Sequence, residues 1–177
     1  MNKFKTILII AAMFIVICFL QINVFSWFNI AGVMPNLFVV LVLFVGLYAD
    51  KKLGVIVGII IGFLLDVLIG KSVGYSSLFF AIIALIGEYF DRNFSKDSRL
   101  MLILMTALST VFYEIAMYFV NVVKFKIGVD ILMFTKILLI ETVFNILLVI
   151  ILYTPINKLG YHIESLFKGK QLLTRYF

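Results

Sequence analysis

Residues 53–74 read LGVIVGIIIGFLLDVLIGKSVG. From Leu53 to Ile69 the run is apolar apart from glycines and one acid, and at about 1.5 Å per residue it spans about 26 Å as a helix, close to the roughly 30 Å of a bilayer's hydrocarbon core. Gly54, Gly58, Gly62, Asp66, Gly70 and Gly74 recur every fourth residue. Steps of four advance about 40° beyond a full turn, so these positions form a slanted stripe along which a second backbone can approach closely. A contact within the chain is the first reading of the stripe, and a groove that receives a partner helix is the second. Asp66 stands where the stripe would carry another glycine. An ionised carboxylate is costly in hydrocarbon, so Asp66 is expected to face the bundle, an interface or a water-filled cavity. Pairing with Lys71 or capping of nearby backbone would satisfy it, about one turn inside the extracytoplasmic surface.

The rest of the chain shares this character. Of 177 residues, 64% are hydrophobic and 14% charged, too few polar groups to make the shell of a water-soluble domain. Apolar segments at about 6–25, 35–49, 53–69, 73–90, 100–121 and 131–153 predict an all-α polytopic membrane protein, a compact bundle of six transmembrane helices forming a single domain over 1–177. The first segment is longer than a signal h-region and lacks a small-x-small cleavage site, so it reads as a retained helix. The second is short for a crossing. Pro35 fits its first turn and Asn36 follows as a helix start, which places Trp27 to Met34 in the interface with Trp27 and Phe28 as anchors. With six spans, eleven basic residues fall on one side, from Lys3 and Lys5 through Lys51, Lys52, Arg92, Lys96 and Arg99 to Lys158, Lys168, Lys170 and Arg175. Lys71, Lys124, Lys126 and Lys136 fall on the other. The excess places both termini in the cytoplasm. Residues 155–177 form a basic, aromatic cytoplasmic tail that can lie on the membrane as a short helix carrying Leu159, Ile163, Leu166 and Phe167. Basic residues between apolar runs indicate topology and anionic lipid headgroups as partners rather than nucleic acid.

Polar side chains inside the spans repeat at helical spacing. Thr106, Thr110 and Glu114 share a face of the fifth helix, and Glu141 and Asn145 share a face of the sixth. Two such stripes on neighbouring helices would meet as an intramembrane hydrogen-bond network, and Gln21 and Asn23 near the outer end of the first helix can join it or bind loop backbone. A transport or proton path is the sharper, less favoured reading. Glu88 lies beside Asp91 and Arg92 and reads as a boundary residue.

Enzymatic chemistry finds little support. His162 is the lone histidine and lies in the basic tail, so neither a Ser-His-Asp triad nor a histidine metal site can be assembled. Cys18 is the lone cysteine, which excludes an internal disulfide or a cysteine-rich metal site. The glycines follow helical rather than phosphate-loop spacing. No catalytic residue, cofactor or metal is expected.

The order of motifs resembles the MreD family of bacterial rod shape-determining membrane proteins. The resemblance runs from Leu20-Gln21, through Pro35-Asn36-Leu37, to the run from Gly58 to Gly74, followed by Tyr75-Ser76-Ser77-Leu78 and a fourth helix rich in small residues. It implies a non-enzymatic scaffold of the cell-elongation complex in the bacterial plasma membrane, binding MreC directly. MreB, RodA and a class B penicillin-binding protein would belong to the same complex, which supports lateral peptidoglycan synthesis. Such proteins are also similar in hydropathy to the substrate-binding S subunits of energy-coupling-factor vitamin transporters, which supply the alternative function. The adjacent Ala11 and Ala12, rather than a four-residue spacing, argue against that alternative.

Overall fold

A computed structural model describes residues 2–69, 74–94, 98–125 and 130–168. Among them lie six helices and no strand: α1 (Asn2–Phe19), α2 (Leu37–Tyr48), α3 (Lys51–Ile69), α4 (Tyr75–Asn93), α5 (Arg99–Phe125) and α6 (Ile131–Lys168). They occupy the six apolar segments. Among the described residues three stretches are long and apolar enough to cross a membrane, Thr6–Val24, Arg99–Lys124 and Ile131–Ser165, and α2 is a shorter apolar helix. Large apolar side chains such as Ile15, Phe19, Leu132 and Ile151 are more than half exposed. Water would not tolerate that surface; lipid does, and the apolar helices fit a membrane protein.

The short helix α2 is the core. All of its residues are buried, and it touches each of the five other helices. A helix that is apolar all round has no face to give to water, which is what this position requires. Because lipid tails are as apolar as leucine, burying α2 brings little hydrophobic gain; close packing and hydrogen bonds must hold the bundle. Backbones come closest where α4 packs against α3 and α2.

Two boundaries differ from the sequence reading. Pro35 lies before α2 rather than in its first turn, and Asn36 is the cap, its Oδ1 accepting from Val39 N at 3.3 Å. The last helix does not stop near Tyr153 to leave a separate surface helix; it runs through Pro155 to Lys168. Proline removes one backbone hydrogen bond, but contacts beyond it hold the continuation. The Tyr48 hydroxyl donates to Asn157 Oδ1 at 2.7 Å, the Tyr48 ring lies against Gly160, and Ile163 is buried. Between α1 and α2, a π-helical turn (Leu20–Val24) leads to a tight turn at Ile30–Val33, whose central residues Ala31 and Gly32 both have positive φ, 54° and 84°. Trp27 is almost fully exposed, as an interfacial anchor would be.

Candidate functional site

The glycine stripe faces α4. A Cβ at Gly58 would come within 2.7 Å of the Phe80 carbonyl oxygen, and one at Gly62 would collide with the backbone at Ser76 and Ser77. At Gly54 it would stand 3.2 Å from Gly46 Cα of α2. This part of the groove is therefore filled from within the chain, and a partner must meet other surfaces. Gly74 keeps the four-residue spacing without sharing the contact. It lies beyond α3 as the N-cap of α4, with φ 105° and open space where a Cβ would be. Its need is conformational: only glycine adopts that backbone without strain. Gly70 and Lys71 fall outside the described residues.

Equally close approaches were not evident from spacing. A Cβ on Gly46 would strike the Ala84 carbonyl, and one on Gly87 would lie 2.6 Å from the Leu43 carbonyl oxygen. Small residues of α4 thus face α3 on one side, at Ser76 and Ser77, and α2 on the other, at Ala84 and Gly87. Gly46 and Gly87 stand singly in their helices, so no four-residue repeat marks them; the small-residue character of α4 was the available signal.

Asp66 is buried, and its Oδ2 accepts hydrogen bonds from Gly74 N at 2.7 Å and Ser76 N at 3.2 Å. It caps the first turn of α4 from the end of α3, satisfying donors that have no intrahelical partner and complementing the positive helix terminus. Asp66→Ala is expected to cost about 1–2 kcal/mol, and Asp66→Asn, which keeps an acceptor, about half as much. The thermal unfolding midpoints of the two variants in detergent check the order.

The polar residues of α5 and α6 meet in rungs. Asn145, fully buried, donates from Nδ2 to Thr110 Oγ1 at 3.0 Å. One turn along, the Glu141 carboxyl lies beside that of Glu114 and near Asn36. A step of minus four on α6 with plus four on α5 is what antiparallel neighbours require. The seam also serves the start of α2, whose leading N–H groups have no intrahelical partner. Asn36 N donates to Asn145 Oδ1 at 2.9 Å, and Leu37 N to Gln21 Oε1 at 3.2 Å. Gln21 Nε2 in turn donates to the Pro35 carbonyl at 2.7 Å. Side chains from α6 and the π-turn thus clamp the entrance to α2. Asn23 stays out of this network, its amide donating to the Phe19 carbonyl at 3.0 Å on the exposed side. Glu88 is ion-paired with Arg92 one turn away.

This constellation positions helices; it does not assemble a recognisable reaction centre. Among the described residues no group of three histidine, cysteine or acidic side chains is placed to hold a metal ion. No curated protein and no solved structure matches the chain. The family of rod shape-determining protein MreD matches residues 1–161, nearly the whole length, from α1 through most of α6. The chain belongs to the MreD family, whose members act in determining rod shape.

Proposed function

We propose that the chain crosses the bacterial plasma membrane six times with both ends in the cytoplasm, and that it serves there as a scaffold subunit of the cell-elongation machinery. In this reading it binds MreC directly and sits in one complex with MreB, RodA and a class B penicillin-binding protein, supporting lateral peptidoglycan synthesis. The observation that carries the reading is the family match over residues 1–161. The basic asymmetry, eleven residues against four, supports the orientation. The brevity of α2 does not oppose a crossing. Its 12 residues rise about 18 Å, but a helix wrapped by five others need not match the lipid thickness, and irregular backbone before it is tolerated where protein covers it. Val33 and Pro35 of that approach are buried.

Capture of the tagged chain from solubilised membranes tests the scaffold role. MreC is expected to co-purify, and depletion of the chain is expected to widen the cells. Absence of MreC from the intact bundle, together with unchanged cell width, would refute the reading.

A further inference from the structure

A cavity of about 520 Å³ opens beside the π-turn, between α1, the segment leading into α2, and the adjoining parts of α3, α5 and α6. Its walls are mostly apolar, with Cys18, Ile22, Phe38 and Leu65 among them, and a few polar groups converge at its base. A volume in this range and an apolar lining with few polar groups are the marks of a small-molecule site. Most of those polar groups are already engaged. Both amide atoms of Gln21 bond the backbone at Pro35 and Leu37, Asn36 Oδ1 caps α2, and the Tyr113 hydroxyl shares a hydrogen bond of 3.2 Å with Ser76 Oγ. Glu141 is the exception. It is 7% exposed, lies on the cavity wall, and its Oε1 is buried without a hydrogen-bond partner.

A buried carboxyl oxygen left without a donor is costly, and a bound donor would relieve the cost. Glu141 and Glu114 stand together in the seam, and among the described residues neither is ion-paired with a lysine or arginine. Two adjoining carboxyl groups without a basic partner favour a cationic ligand over an anionic one, in a medium where charges interact strongly. We infer that this cavity binds an apolar molecule bearing a protonated amine, its ammonium group donating to Glu141 Oε1 and its hydrocarbon body against the Phe38 and Leu65 walls. The inference stands independently of the scaffold reading.

The test uses 1-aminoadamantane as the probe and adamantane-1-carboxylate as its anionic counterpart, with the full chain in zwitterionic lipid nanodiscs. Equilibrium dialysis is expected to show one saturable amine site per chain beyond empty discs, with the carboxylate bound at least tenfold more weakly. Cys18, the lone cysteine, lines the same cavity and reports occupancy. Its rate of modification by N-ethylmaleimide is expected to fall at least fivefold with the amine bound. Glu141→Gln is expected to weaken amine binding at least tenfold. The inference fails if there is no saturable amine binding, if both probes bind equally, if amine binding leaves the Cys18 rate unchanged, or if folded Glu141→Gln binds as tightly as the parent. Should that variant not fold, the amine-to-carboxylate ratio and the Cys18 rate of the parent chain decide.

Discussion

Gly62→Leu is expected to abolish the folded bundle. The new side chain would begin inside the space of the Ser76 and Ser77 backbone, so no rotamer change on α4 can make room; the helix itself must move. Overpacking a close contact costs about 3 kcal/mol or more when backbone has to yield. In lipid there is little hydrophobic gain to offset the loss of packing. Displacing α4 also pulls its N-cap from Asp66 and its Ala84–Gly87 surface from α2, so the damage spreads into the core. The purified variant is expected to lose its monodisperse peak in size-exclusion chromatography. Phe63→Leu, one residue along but half exposed, is expected to behave as the parent chain. Equal behaviour of the two variants would show that the glycine face is not what joins α3 to α4.

Asn145→Leu is expected to have the next largest effect. Leucine has a similar volume, so the change is mainly chemical: Asn36 N–H and Thr110 Oγ1 both lose their partner in the interior. An orphaned buried backbone donor costs about 1–3 kcal/mol, and the start of α2 loses the clamp that connects it to α6. A total of about 2–3 kcal/mol follows. Thr110→Val removes only the side-chain bond and is expected to cost about 0.6 kcal/mol, the usual size of a hydrogen bond between membrane helices. Unfolding in a titration of sodium dodecyl sulfate against mild detergent measures both. A loss for Thr110→Val as large as that for Asn145→Leu would mean that the α5–α6 contact, rather than the start of α2, is what Asn145 secures.

What could be read without coordinates was whatever repeats at helical spacing. Gly54, Gly58 and Gly62 announce a close-packing face because the period is four and the residues are small. Glu114 with Thr110, and Glu141 with Asn145, announce rungs because a polar pair four apart in an apolar helix must turn the same way. The central position of α2 left no such trace: a segment apolar on every side has no periodicity, and its shortness pointed to a doubtful span rather than to a core. That Asp66 and Gln21 could bond to nearby backbone was legible; which groups they reach was not, because each bonds across a turn that only tertiary packing brings near. Asn23 shows the converse, a polar residue in register with the network that satisfies itself on its own helix. The continuation of α6 through Pro155 depends on Tyr48, over a hundred residues earlier, and no local rule about proline contains it.

A six-span bundle with α2 inside it is tested most directly by the side on which its two ends emerge. In a Cys18→Ala background, single cysteines at Phe28, before α2, and at Asp50, just after it, can be labelled in intact cells with a membrane-impermeant maleimide and again after permeabilisation; both positions are exposed. Phe28→Cys is expected to react in intact cells and Asp50→Cys only after permeabilisation. Reaction of both from the same side would mean that α2 does not cross, and the six-span topology would be wrong.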